Sequence, residues 1–263
     1  MIAAMKPRRW HNPRPHRPRD AESAGPAIVY GVEPVREMAA AAPGLVSLLY
    51  VRAGLEERFA SEIASVRSAG GRVAISDEAA LARVVGREAR HQGIAAAVRD
   101  YAYAPFEEIL ETRPDPIVLV DGVTDPRNLG ALMRSAEGAG VRAIVIARDR
   151  TAGVTPAAVK ASAGAWVHLR IAQCGNVAQA IEDLKEAGYW IAALAPGGDV
   201  SIYQLDVSRR LVIVVGAEGR GVREIVRKRS DMTVSIPMRG RVESLNVSVA
   251  AAVALFEIMR RRG

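Results

Sequence analysis

The sequence has little of several features that commonly carry function. Its 263 residues include one cysteine, Cys174, which excludes a disulfide framework and a cysteine-rich zinc site. The four histidines are scattered, so we expect no metal centre. The longest apolar stretch, Val247–Phe256, is much shorter than the roughly 18 residues of a membrane-spanning helix. Because no secretory signal follows Met1 either, we expect a cytoplasmic protein without a membrane partner.

Two common nucleotide-binding motifs are also missing. A dinucleotide fingerprint needs G-x-G-x-x-G, and a phosphate-binding P-loop ends in Lys followed by Ser or Thr. Gly216, Gly219 and Gly221 form only a loose glycine run after an apolar segment. This absence disfavours a Rossmann-type methyltransferase or dehydrogenase.

The positive charge is concentrated at the amino terminus. The net charge is +7, and residues 1–26 contribute +4 of it through six basic and two acidic side chains. The same segment contains five prolines and little apolar surface, so we predict a disordered basic tail. Such a tail either is merely solvated or strengthens contact with nucleic-acid phosphates. The prolines argue against a mitochondrial presequence.

Beyond residue 26, short apolar runs alternate with helical stretches, which predicts an α/β fold. We predict a compact α/β domain at 27–99, a linker at 100–115 and a larger domain with a parallel sheet at 116–263. Asp125 is predicted to cap the first helix of the larger domain. The strands and last helix predicted there are Ile117–Val120, Ala143–Ala147, Trp166–Ile171, Tyr189–Leu194, Leu211–Val215, Thr233–Ile236 and the helix Leu245–Arg261.

Three segments rich in glycine or polar residues follow predicted strands of the larger domain, at 121–140, 214–221 and 235–248. The carboxyl ends of parallel strands meet at one edge of a sheet, so these segments should converge. Spacing alone says little more. Asn128 and Arg134 are six residues apart on a helix, about 120° around its axis, so they cannot form one narrow cluster. Each of them, like Glu218, is also compatible with an ordinary solvated surface.

Taken together, however, the three segments match a known set of motifs. The matching residues are Asp125, Pro126, Asn128, Gly130 and Arg134 in the first segment, Gly216–Gly219 and Gly221 in the second, and Ile236, Pro237 and Ser244–Ser248 in the third. They resemble the signatures of the SpoU/TrmH family of RNA 2′-O-ribose methyltransferases. Residues 28–98 resemble that family's substrate-binding domain, which is akin to ribosomal protein L30e. Residues 1–26 lie outside the resemblance.

The resemblance implies a fold, a cofactor and an assembly. The fold would be a SPOUT-type catalytic domain, with a parallel sheet and a deep trefoil knot, preceded by an L30e-like α/β domain. The protein would be a homodimer that binds S-adenosylmethionine (AdoMet) and needs no metal. Cofactor contacts are implied at Gly216, Ile236 and Leu245. Catalytic or substrate-orienting roles are implied at Arg134, Asn128, Glu218, Ser244 and Asn246.

The implied reaction is methyl transfer to a ribose 2′-hydroxyl of structured RNA, with a guanosine of 23S ribosomal RNA as the favoured target. The family assigns Arg134 as the base, yet a free guanidinium has a pKa above about 12 and stays protonated at pH 7. Either its surroundings depress that pKa, or Arg134 grips a phosphate while Glu218 or water takes the proton. The alternative functions are methylation of tRNA, methylation of an antibiotic-resistance site in ribosomal RNA, and non-catalytic RNA binding in ribosome assembly.

Overall fold

The computed structural model describes residues 27–99 and 101–263. The basic tail predicted at 1–26 therefore lies outside the described residues. Two separate β-sheets are present, one formed before residue 99 and one after residue 116. This arrangement agrees with the two α/β units expected from the sequence pattern.

The first sheet has four strands in the order β1-β4-β2-β3. Strand β4 runs antiparallel to both β1 and β2, whereas β2 and β3 are parallel. Asp77 caps α3 by accepting a hydrogen bond from the backbone N–H of Ala80, as its sequence position predicts. The elements are β1 (Ala27–Tyr30), α1 (Val32–Ala41), β2 (Val46–Arg52), α2 (Ala60–Ser68), β3 (Arg72–Ser76), α3 (Glu78–Val85) and β4 (Ile94–Val98).

The second sheet has seven parallel strands within the described residues, in the order β7-β6-β5-β10-β8-β11-β9. A short helix, α4 (Phe106–Thr112), lies between the two sheets in sequence. The strands are β5 (Ile117–Asp121), β6 (Ala143–Ala147), β7 (Arg170–Cys174), β8 (Trp190–Leu194), β9 (Val200–Ser201), β10 (Leu211–Gly216) and β11 (Met232–Ser235). The helices are α5 (Pro126–Gly138), α6 (Pro156–Ala161), α7 (Val177–Glu186), α8 (Glu224–Arg229) and α9 (Val247–Arg262).

Helices cover both faces of the second sheet, which explains its continuous apolar strands. Every residue of β5, β6 and β10 is buried. Because side chains alternate along a strand, Val118 and Val120 pack with α5 and α9, while Ile117 and Leu119 pack with α7 and α8. Two covered faces require apolar side chains along a strand, and the one charged residue of these three strands, Asp121, lies at the end of β5.

The structure corrects two details of the predicted elements. Trp166 lies in a 3-10 helix, Ala165–His168, rather than at the start of a strand, and the strand itself begins at Arg170. The last helix begins at Val247 instead of Leu245, because Asn246 caps it by accepting a hydrogen bond from the backbone N–H of Ser248. Leu245 therefore lies in the loop before the helix. No helix of the described chain has the length and hydropathy to cross a membrane.

Side-chain contacts connect the two α/β units. The Lys160 ammonium lies 4.4 Å from the ring centre of Tyr30 and is hydrogen bonded to its hydroxyl. Glu37 of α1 contacts the imidazole of His168. The segment after β4 also packs against the larger sheet, where the Tyr103 hydroxyl accepts a hydrogen bond from the backbone of Val154 at 2.9 Å. The residues predicted as a linker thus make ordered contacts and include α4.

Candidate functional site

The three segments singled out in the sequence follow three strands of the same parallel sheet. The first begins at the end of β5, the second at the end of β10 and the third at the end of β11. Strands β5 and β10 are direct neighbours, and their last residues, Asp121 and Gly216, are paired in register. The chain leaves these two central strands toward different helices, and ligands of open α/β sheets bind at such a point.

A polar cluster joins one side chain from each segment. The Asn246 amide donates to Oδ1 of Asn128 at 3.0 Å and to Oε1 of Glu218 at 3.0 Å. The Asn128 amide donates to the same Oε1 of Glu218. These residues are separated by 28 to 118 positions in the chain, so only the tertiary structure brings them together. Glu218 and Asn246 are exposed and Asn128 is half-buried, which leaves the polar cluster accessible to a substrate.

Local sequence explains how each member of the cluster is held. Asp125 caps α5 by accepting from the backbone N–H of Arg127 at 2.8 Å, and Pro126 occupies the first turn, so Asn128 lies near the helix start. Asn246 uses its own oxygen to accept from the backbone and the hydroxyl of Ser248, at 2.9 and 2.6 Å. Its amide group is thereby turned toward Glu218.

Arg134 lies apart from this cluster. It is exposed on α5, and it takes part in none of the hydrogen bonds or ion pairs found among the described side chains. The separation agrees with the prediction that Asn128 and Arg134 cannot form one narrow cluster. An accessible guanidinium on the same helix as Asn128 is suited to binding a phosphate.

A cavity of about 190 Å³ opens next to the polar cluster. Three residues predicted to contact a cofactor, Gly216, Ile236 and Leu245, all lie in its wall, and so do Glu218 and Ser244. Sequence reasoning missed the segment Leu194–Pro196, which follows β8 and also lines the cavity. Its position directly after a strand of the parallel sheet was the available signal.

Gly216 is required by close backbone packing beside the cavity. A Cβ atom at this position would lie 2.1 Å from the carbonyl carbon of Gly221 and 2.2 Å from its oxygen. Ala217 and Gly221 hydrogen bond to each other through both backbone groups, at 3.0 and 2.8 Å. Gly219 and Gly221 have positive φ angles of 73° and 65°, which favour glycine. The second segment therefore forms a tight loop whose backbone faces the cavity.

Two further residues near the site were missed from the sequence. Asp121 is buried at the end of β5, and Arg223, which immediately precedes α8, binds it through two hydrogen-bonded contacts. Asp121 and Arg223 have no recognisable motif spacing, because they are 102 positions apart in the chain.

Cys174 is buried nearby, and burial raises the pKa of its thiol to about 12. Within the described residues, no group of three or more His, Cys, Asp or Glu side chains could hold a metal.

Comparisons with known proteins agree with the geometry. The model of the SpoU rRNA methylase family matches residues 115–256, and the model of the RNA 2′-O ribose methyltransferase substrate-binding domain matches residues 28–104. The 23S rRNA (guanosine-2′-O-)-methyltransferase RlmB of Yersinia pestis is 38% identical over 90% of this chain and 98% of its own length. An uncharacterized tRNA/rRNA methyltransferase of Synechocystis sp. is 36% identical, and the match spans only 55% of that longer protein.

A solved structure extends the match to the fold and to a bound cofactor. The SpoU methyltransferase AviRb from Streptomyces viridochromogenes, in complex with AdoMet, aligns with a TM-score of 0.74 and 26% identity, covering 89% of each chain. The α/β fold with a parallel sheet that the motifs implied is thereby confirmed. The motifs, the sheet and these matches together show that this chain belongs to the SpoU rRNA methylase family.

Proposed function

We propose that this protein transfers a methyl group from AdoMet to the ribose 2′-hydroxyl of a guanosine in 23S ribosomal RNA. The observation that carries the proposal is the cavity at the ends of β10 and β11, which lies directly beside the polar cluster of Asn128, Glu218 and Asn246. The match to RlmB of Yersinia pestis over nearly its full length supports the choice of ribosomal RNA. Since that RNA is the proposed substrate, we place the reaction in the cytoplasm.

The lining of the cavity suits AdoMet in its chemistry. Gly216 lets the backbone of Gly221 and Val222 pack against the end of β10, where a side chain would clash, and this shapes the loop wall of the cavity. Ile236 and Leu245 supply apolar surface for a planar base, and backbone groups of both loops supply polar contacts. When bound, AdoMet supplies a methyl group already activated by a sulfonium, so the reaction needs alignment and removal of a proton. The trefoil knot and the domain limits implied by the family are part of this proposal.

The polar cluster can orient the ribose and accept the proton of its 2′-hydroxyl. Both amides donate to Oε1 of Glu218, and among the described side chains none is hydrogen bonded to Oε2. That oxygen is available to accept a hydrogen bond from the 2′-hydroxyl. Arg134, exposed one to two turns further along α5, can bind the adjacent phosphate. The hydroxyl proton then has two candidate acceptors, Arg134 and Glu218, which the substitutions in the Discussion separate.

We further propose that the active form is a homodimer that pairs through α9. Val249, Phe256 and Met259 lie on one face of this helix and are 47%, 43% and 42% exposed. An apolar face of this kind is costly to leave in water, and a second copy of the chain would cover it with a like surface. Phe256→Glu is expected to give a monomer by light scattering after gel filtration. Ile75→Glu, an equally exposed apolar site on β3, should leave the dimer intact.

The proposed reaction is tested by transfer of tritiated methyl from AdoMet to total RNA, containing ribosomal RNA and tRNA, extracted from a strain that lacks this protein. Incorporation at a single 23S guanosine 2′-hydroxyl is expected with the parent protein and not with Asn128→Ala. Methylation confined to tRNA would identify tRNA, in place of 23S ribosomal RNA, as the substrate. Tight RNA binding without incorporation into any RNA would support the non-catalytic alternative and contradict the proposal.

A further inference from the structure

One ion pair beside the cavity, between a buried carboxylate and a partly exposed arginine, has no part in the chemistry described so far. Asp121 is only 2% exposed, and its carboxylate accepts from Nε of Arg223 at 2.8 Å while Nη2 lies 2.7 Å from the second oxygen. Two parallel contacts of this kind fix both side chains in orientation. The hydrogen bonding to Asp121 raises the pKa of Arg223, so the guanidinium stays charged.

The pair closes the 217–221 loop at its base. Gly216, just before the loop, is paired in register with Asp121 across strands β10 and β5. Arg223, just after the loop, returns to the same Asp121 through its side chain. The residues on both sides of the loop are thus attached to one residue, while the Ala217–Gly221 hydrogen bonds join the first and last residues of the loop to each other.

The position of this loop determines two parts of the site at once. Its backbone forms one wall of the cavity, and Glu218 near its tip reaches the amides of Asn128 and Asn246. A glycine-rich loop has high conformational freedom, so it keeps one geometry only where contacts impose it. The ion pair of Arg223 with the buried Asp121 is the charged contact that does so at the base.

We propose that Asp121 and Arg223 are positioning residues for AdoMet binding, holding the 217–221 loop in its binding geometry. The inference rests on the proposed function, because it assigns these residues to the cofactor cavity. Neither side chain lines that cavity, so their effect is transmitted through the loop backbone. Loss of the pair should weaken AdoMet binding and leave RNA binding unchanged.

The test compares Arg223→Met and Arg223→Lys with the parent and with a matched control. Arg229, at the other end of α8, forms an exposed ion pair with Glu182 at 2.8 Å, so Arg229→Met removes an arginine pair away from the loop. Calorimetry gives the AdoMet dissociation constant, and hydrogen exchange without cofactor reports on the backbone amides of Ala217 and Gly221. Steady-state kinetics gives separate KM values for AdoMet and RNA.

Arg223→Met is expected to raise the AdoMet dissociation constant at least tenfold and to speed exchange of the two loop amides, with an unchanged KM for RNA. Arg223→Lys keeps the charge but has one donor nitrogen in place of the two that contact Asp121, so an intermediate rise of about threefold is expected. Arg229→Met should stay within twofold of the parent. If Arg223→Met does not fold, Arg223→Lys decides the question.

Parent-like AdoMet affinity and parent-like exchange in a folded Arg223 variant would overturn the inference. A uniform rise in both KM values would also overturn it, since that result indicates a general structural role. Failure of the parent protein itself to bind AdoMet would instead refute the proposed function. The hydrogen-exchange result in the absence of cofactor keeps these two failures distinguishable.

Discussion

Replacement of Gly216 by alanine tests the central feature of the proposed cofactor site, the close approach of the loop backbone. The added Cβ would lie 2.1 Å from the carbonyl carbon of Gly221 and 2.2 Å from the backbone nitrogen of Val222. Ordinary van der Waals contact begins at 3.4 Å, so the loop must move outward by more than 1 Å. Both obstructing atoms are backbone, and no side-chain rotation can relieve the contact.

The expected cost is that of overpacking a well-packed site, about 1–3 kcal/mol. We expect this cost to fall on the loop geometry that binds AdoMet, and since about 1.4 kcal/mol is a factor of ten in affinity, AdoMet binding should weaken about 5- to 150-fold. Calorimetric titration with AdoMet measures the binding change, and thermal unfolding followed by circular dichroism measures the loss of stability. The RNA-binding affinity should be unaffected, because the clash lies at the cavity wall.

Two other glycine substitutions separate a local effect from general destabilisation. Gly71→Ala places a Cβ 2.5 Å from Val66 and 2.6 Å from the carbonyl oxygen of Val46, but in the first sheet. It should lower the melting temperature without changing AdoMet affinity. Gly175→Ala meets no atom within 4 Å and should change neither quantity. Parent-like AdoMet affinity in folded Gly216→Ala would refute the assignment of this loop as the cofactor cradle.

Three further predictions concern the reaction and the single cysteine. Arg134→Ala is expected to lower kcat at least 10²-fold with AdoMet affinity unchanged, whereas Glu218→Gln should lower kcat only about tenfold. A 10²–10⁴-fold lower rate for Glu218→Gln, measured in single turnovers, would instead identify Glu218 as the base. EDTA should leave methyl transfer unchanged, and loss that a divalent ion restores would contradict this. Because the pKa of Cys174 is raised to about 12, its thiolate population at pH 8 is about 10⁻⁴, and it falls further as pH is lowered. Alkylation by iodoacetamide should therefore be slow until the protein unfolds, and rapid labelling of native protein would show that the thiol is accessible.

The sequence by itself determined the features that depend on neighbouring residues. Alternating apolar runs and helical stretches predicted the α/β units, because a strand covered on both faces must be continuously apolar. Asp125 was identified as a helix cap, since a short carboxylate before a helix satisfies a free backbone N–H. The wrong strand start at Trp166 shows the limit of this reasoning, because a short apolar run is compatible with either a strand or a helical turn.

The site shows the same division between local pattern and tertiary contact. Glycines after strands indicated which loops approach a ligand, and the rule for parallel sheets predicted that the three segments converge. The hydrogen-bonded pairs of the site could not be predicted from the sequence. Asn128 donates to Glu218, 90 positions away, and Arg223 donates to Asp121, 102 positions away. Only the strand order β6-β5-β10-β8 and the pairing of Asp121 with Gly216 place those side chains side by side. Strand order and register follow from packing of the whole chain, which no local pattern specifies.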